Sequence, residues 1–376
     1  MTLRRNFILG NSGMALLITL ALVSILTVAA LEIARKVASS TDGTLVHESR
    51  FIINQMAMSG IHLAMAVLAD DANTNEIDSV QELWANSGEM SQVFARMHPL
   101  ADAVSLEITD ELGKIQVNAL IREFPGSTFN DTQRELWERL LAMVVSGDKS
   151  VDLRDPQEII NCIKDWLDSG DDDTITGTSG AESSYYETLE PSVYCSNGPI
   201  DILKELYNIK GVSQDILTVK SIMQESSLFE GMSQAPELDS VLSVFGMNAA
   251  PADNGGFAFQ GRININTAGP LILAAMLPAG REDQAQELAD FRTQTHETGG
   301  DFVNTLDKGW YEQVIELSDK EKLDFGNIIR YSSDYFRVRA SVRRGTVEQT
   351  LLAYIKREKD KETGRWYCRL LRLSRE

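Results

Sequence analysis

The sequence predicts an α+β fold: a long amino-terminal helix packed on an antiparallel sheet, with a large all-α insertion. Three observations carry this reading. Residues 6–31 hold no charged side chain, and apolar residues continue from there at spacings of three and four as far as Leu68. Alternating, strand-like stretches occur at 103–120 and then only near the carboxyl end, at 335–342, 348–355 and 366–373. About 200 residues of mainly helical pattern lie between them, and loop tips tolerate such insertions.

The helix comes first. Arg4 and Arg5 precede the uncharged run, and residues 14–31 are apolar except for Thr19, Ser24 and Thr27. Roughly 20 apolar residues span about 30 Å of hydrocarbon, so 14–36 reads as a membrane segment. A cleaved secretory signal has a shorter apolar core; that reading, with Ala29 and Ala30 at the cut, and an uncut signal anchor are the alternatives. Beyond Glu32 the apolar positions return at Leu45, Phe51, Ile53, Ile61, Met65 and Leu68, with residues 39–43 as the one stretch that admits a break.

After the helix, 80–85 and 90–97 read as short helices and 103–108 as a strand. Residues 111–114 form a turn and 115–120 a second strand, so a hairpin is expected there. Asp131 reads as a cap for a helix with Leu136, Trp137, Leu140, Leu141 and Val144 on one face. Further helices are expected at 158–167, 200–209, 213–223, 267–276 and 283–293. The resulting division is a leader at 1–13, a membrane segment at 14–36, an α/β domain from 37–120 and 331–376, and a helical insertion from 121–330.

Lys and Arg number 35 against 55 Asp and Glu, a net charge of −20. Such a surface repels nucleic acid and anionic lipid and attracts cations. The four histidines have no ligand spacing with cysteine, and no nucleophile elbow, phosphate loop or HExxH is present, so no enzymatic role is assigned. The chemistry concentrates in 168–182, where Asp168, Asp171, Asp172, Asp173 and Glu182 share one short loop with Gly170, Gly177 and Gly180. Carboxylates so crowded repel unless a cation lies among them, and calcium accepts irregular oxygen cages. An EF-hand does not fit, because Thr176 stands where its glycine is needed. The expected ligands are Asp168, Asp171, Asp173 and Glu182; the plain alternative is a solvated acidic loop. Among Cys162, Cys195 and Cys368, export would allow a Cys162–Cys195 bridge across this loop, against three reduced thiols. Residues 264–268 (NINTA) and 206–212 look like helix-hairpin-helix starts. With only Lys204, Lys210 and Arg262 nearby they read as protein-interaction or packing units that bind no nucleic acid.

A basic leader, Gly13, an apolar half and an amphipathic half together resemble the type IV pilin-like family. Most members carry Glu at the fifth residue after the glycine; Ile18 stands there in this chain. That departure resembles the type II secretion minor pseudopilin K family. So do GIHLAMAVLADD at 60–71 followed by Leu83-Trp84-Ala85, ITDELGKIQVNAL at 108–120, DWLD at 165–168 followed by Gly180-Ala181-Glu182 and Tyr185-Tyr186, and NINTA. The resemblance implies a pilin-like fold and cleavage between Gly13 and Met14 by a prepilin peptidase, with methylation of Met14. It implies a single-pass protein of the bacterial inner membrane with its bulk in the periplasm, and bound calcium in the helical domain. Its partners would be the I- and J-type minor pseudopilins and the major pseudopilin, met through an assembly helix that includes Ile18, Phe51, Ile61 and Met65. The absent acid suits a subunit with nothing above it, at the pseudopilus tip, where it would initiate assembly and support protein export across the outer membrane. A minor pilin of a type IV pilus, and a signal-anchored periplasmic helix-hairpin-helix binding protein, are the competing readings.

Overall fold

The computed structural model describes residues 12–99, 101–146, 155–212, 238–249, 256–296 and 300–376. Arg4, Arg5 and the expected helix at 213–223 lie outside these residues.

Helix α1 (Ser12–Thr74) is continuous for 63 residues, through the stretch where the sequence admits a break. No proline interrupts it, and the hydroxyls of its apolar half are satisfied from within: Thr19 donates to the Leu16 carbonyl at 2.9 Å, Ser24 to that of Leu20 at 2.8 Å and Thr27 to that of Val23 at 2.7 Å. A polar group closed on its own backbone is compatible with lipid. Gly13–Val37 is apolar and fully exposed, a candidate membrane anchor. The second half is amphipathic, and Ile53, Ala57, Ile61, Ala64 and Leu68 form a buried stripe along one face.

That stripe covers a four-stranded antiparallel sheet of β1 (Ala103–Asp110), β2 (Tyr335–Arg344), β3 (Val347–Lys359) and β4 (Trp366–Arg375), in that order. Alternation does what period 2 requires: Leu106 and Ile108, then Phe336, Val338, Ala340 and Val342, then Leu351, Ala353 and Ile355 turn to the helix. Helix α2 (Ser87–Met97) adds Met90 and Phe94, and Trp84 meets Phe336 edge-on with ring centres 5.3 Å apart. Ile61 therefore lies within the subunit's own core, fully buried, which corrects its assignment to an assembly face. Phe51, 66% exposed, and Ile18, 55% exposed, do point outward, and Met65 is half-buried.

The expected hairpin at 103–120 does not form. Strand β1 pairs along its length with β2, from Ala103 opposite Arg343 to Asp110 opposite Phe336. Residues Ile115–Gln116 pair instead with Leu242–Ser243 in parallel, and Val117–Leu120 winds into a 3-10 turn. The cause is polar. Asp110 and Glu111 are buried, and Asn264, Thr267 and Ser243 of the insertion are among their partners, so the chain leaves the sheet at that point. Ile115, Val117, Ala119, Leu120 and Ile121 then fill the insertion core. The two cores divide the chain near residue 111 rather than residue 120.

In the insertion, α3 (Asp131–Ser146) packs on α4 (Pro156–Leu167) and on the buried helix Pro270–Met276. Among the described residues the rest is short helices, with small strand pairings such as Met247–Ala249 with Phe257–Phe259.

NINTA forms the seam between the domains. Asp110 Oδ2 accepts from Asn264 Nδ2 at 2.9 Å, Thr267 Oγ1 at 2.6 Å and Ser333 Oγ at 2.6 Å, while Oδ1 takes the Leu112 amide at 2.7 Å. Asn266 receives the Trp310 indole N–H at 2.7 Å. Gly113 is required here, since a Cβ would lie 2.5 Å from Thr267 Oγ1. Asp110→Ala would strand several buried donors at once, so it is expected to cost about 3–5 kcal/mol. Urea unfolding checks this, together with faster proteolysis between the two domains; a midpoint within error of wild type would refute the seam's importance.

Candidate metal centre

Helix α4 starts with Asp155 as its cap, accepting the Gln157 amide at 3.0 Å, and with Pro156 in its first turn. Its apolar face is buried, and this fixes the last turn, which carries Lys164 and Asp165 and ends at Asp168. The chain then loops out and returns at Glu182, which precedes the short helix Ser183–Glu187 but does not cap it with its side chain. Its carboxylate is directed elsewhere.

Asp165, Asp168 and Glu182 are all fully buried, and each offers an oxygen within 4.8 Å of the others. Two glycines permit the crowding. A Cβ on Gly180 would fall 2.0 Å from Asp165 Oδ2, and one on Gly170 would fall 2.7 Å from Asp168 Oδ1. Asp165 accepts the Thr176 amide at 3.1 Å, and Asp168 accepts that of Gly170 at 2.6 Å. Lys164 pairs with Asp168 and lies 3.7 Å from Asp165 Oδ1. Three ionised carboxylates against one ammonium would carry a net charge of −2, and Glu182 Oε1 has no hydrogen-bond partner among the described residues.

Burial, followed by the charges of Asp165, Asp168 and Asp171, pushes the Glu182 carboxyl up to about 8, Lys164 opposing. Asp165 is also raised, burial being the largest cause. An orphaned buried oxygen amid like charge is what a divalent cation would satisfy. The residues therefore fit calcium, with Asp165, Asp168 and Glu182 as the side chains to hold it.

Of the ligands expected from sequence, Asp168 and Glu182 come together here. Asp171 and Asp173 stay exposed on the loop, where Asp171 Oδ1 accepts the Asp172 amide at 3.0 Å. Asp165 was missed by sequence reasoning, although its spacing of three from Asp168 places both carboxylates one helical turn apart. The cysteine bridge is not formed. Cys162 Sγ donates to the Ser179 carbonyl at 3.2 Å, and Cys195 Sγ lies 4.0 Å from Glu182 Oε2. Burial, helped by nearby acids, pushes the Cys195 thiol up to about 12, so it ionises poorly and resists oxidation. Alkylation of the folded protein at pH 8 is expected to spare Cys195; rapid labelling would contradict this environment.

The hairpin at 206–212 serves the same loop. Gly211 turns with φ +85°, and Lys210 reaches back to donate to the Ser179 carbonyl at 3.0 Å while lying 4.9 Å above the Tyr185 ring. Its ammonium is thus used internally rather than offered to phosphate. One further pair was not legible in sequence: His98 Nε2 lies 2.5 Å from Ser59 Oγ. Ser59 Oγ also donates to the Met56 carbonyl at 2.7 Å, one turn back on its own helix, so its hydroxyl is engaged by the backbone.

Comparison with known proteins follows the same lines. The family model for type II secretion system (T2SS), protein K matches residues 113–220. A curated relative from Escherichia coli (strain K12), named "Putative type II secretion system protein K", is 25% identical over 211 residues. The match covers 54% of this chain and spans 59% of the relative's length. Among solved structures, a chain in the crystal structure of the GspK-GspI-GspJ complex from the enterotoxigenic Escherichia coli type 2 secretion system superposes with a TM-score of 0.59. It does so at 15% identity, over 89% of this chain and 99% of that one, and so shares the fold.

Proposed function

We propose that this chain is a type II secretion system protein K, a non-enzymatic minor pseudopilin at the tip of the pseudopilus. The observation that carries the reading is α1, one helix whose first half is apolar and bare and whose second half is the spine of a folded domain. The division suits a subunit that waits in the inner membrane with its bulk in the periplasm and is then drawn into a helical bundle. Prepilin peptidase would cut between Gly13 and Met14; Gly13 has nothing within 4 Å of the place its Cβ would take, which suits access by an enzyme. Its partners would be I- and J-type minor pseudopilins, as in the named crystal complex, and then the major pseudopilin. Ile18 leaves no carboxylate to meet the amino terminus of a neighbouring subunit. This supports a place at the tip, where assembly would begin and export across the outer membrane be served. Calcium held by Asp165, Asp168 and Glu182 would order the loop and perform no catalysis.

The test is the amino-terminal mass of protein from native membranes. A chain that begins at methylated Met14 is expected. A start at residue 1 would make it an ordinary signal-anchored protein, and a start near residue 31 an exported soluble one; either result removes the pseudopilin reading.

A further inference from the structure

A second acidic cluster lies far from the loop, where α1 ends. Asp71 in its last turn meets Asp78 and Glu82 from the segment that follows, each offering an oxygen within 4.8 Å of the others. Arg357 on β3 enters from the sheet. Its Nη1 lies 3.3 Å from Asp71 Oδ2 and its Nη2 lies 2.5 Å from Asp78 Oδ2.

That one guanidinium does not complete the site. Asp78 is 2% exposed, its Oδ2 also takes the Ser333 amide at 2.6 Å, and its Oδ1 has no partner among the described residues. Glu82 accepts from Asn75 Nδ2 at 2.5 Å, Trp84 Nε1 at 2.6 Å and the Ser79 amide at 3.2 Å, which holds its carboxylate in place. Asp70 adds repulsion on Asp71, and Asp110 on Asp78. Of the other basic side chains around this end of α1, Arg330 is turned to Asp334 at 3.1 Å. Burial leads the causes that lift all three carboxyls above their ordinary range, Asp78 to about 6 and Glu82 to about 8. Three carboxyls thus crowd one guanidinium in a partly buried space, and each resists ionising until further positive charge reaches it.

We propose that Asp71, Asp78 and Glu82 form a divalent-cation site of their own, taking calcium through their carboxylates beside Arg357. Calcium suits it better than magnesium because the donors come from a helix end and an irregular turn, with no octahedral frame. The ion would tie the end of α1 to the segment that grips the insertion. Within that segment the Asp78 carbonyl accepts from Asn264 Nδ2 at 3.0 Å, and Gln81 Nε2 donates to the Arg292 and Asn304 carbonyls at 2.8 and 2.9 Å. Its role would be to hold the orientation of the insertion on the sheet domain, independently of the loop centre.

The experiment counts ions. Full-length protein in detergent is stripped with chelator, equilibrated with calcium, separated from free ion, and assayed by atomic emission. The double variant Asp71→Asn/Glu82→Gln is expected to hold one ion fewer per chain than wild type, and Glu182→Gln must leave that ion in place. A second readout is terbium emission excited through indole, because Trp84 touches Glu82. The Glu82→Gln single variant, with a nearly isosteric side chain, should remove a component of that emission that Glu182→Gln retains. If the double variant binds as many ions as wild type, or if Glu182→Gln removes every bound ion, the second site does not exist.

Discussion

Adding calcium to chelator-stripped protein is expected to raise its melting temperature by about 5–10 °C when the ion is present at roughly 100 times its dissociation constant. Mass action at that excess contributes about 2.7 kcal/mol, and domains of this size shift by about 2–4 °C per kcal/mol. The pH dependence has a definite sign. Without an ion, the Glu182 carboxyl in the folded state titrates near 8, above its ordinary 4.5. The folded state then binds more protons than the unfolded one between these values, so stability falls as pH rises from about 5 to 8. With calcium bound the same carboxylate is wanted in its charged form, and the decline flattens. Glu182→Gln separates the two effects, raising the melting temperature in chelator at pH 8 and removing most of the calcium shift. Asp171→Ala with Asp173→Ala should leave most of that shift, because both side chains stay exposed on the loop. Scanning calorimetry decides the matter. A calcium shift lost in the double alanine variant but kept in Glu182→Gln would return the site to the outer loop.

Replacing Ile61 with Asp unfolds the sheet domain, whereas replacing Phe51 with Asp leaves it standing. Ile61 is fully buried against the sheet, so its carboxylate would have no partner, and a loss above about 4 kcal/mol is expected. Phe51 lies ten residues earlier on the same helix and is 66% exposed, so its loss should change stability by no more than about 0.5 kcal/mol. It should instead lower the yield of I- and J-type partners recovered with the tagged protein from native membranes. Circular dichroism and co-purification together check both. Ile61→Asp melting like wild type would overturn the core described here, and undiminished recovery with Phe51→Asp would clear that face of a role in assembly.

The long helix and the carboxyl-terminal strands were legible because each has a single, sustained period: three to four along α1 and two along β2 and β3. The centre was half legible. Asp168 and Glu182 stand out by charge density, but Asp165, although part of the DWLD motif, sits within an apolar helical stretch and shows no sign of a ligand until the loop folds back over it. The hairpin at 103–120 was misread because β1 and Ile115–Gln116 do alternate. What decides their partners is the destination of Asp110 and Glu111, whose bonds reach residues more than 100 positions away. The Asp71, Asp78 and Glu82 group shares that difficulty, for Arg357 lies 279 positions beyond Asp78. Long-range polar pairing leaves no local period to read.

The uninterrupted backbone of α1 has a mechanical consequence. At about 1.5 Å per residue, a rod of 63 residues extends close to 95 Å, with no joint along it to absorb displacement. Lifting the anchor by one helical turn would therefore raise the whole outer body by about 5.4 Å, and a twist at the base would swing the insertion through the same angle. Work done on the apolar end would arrive at the far end as travel rather than as bending.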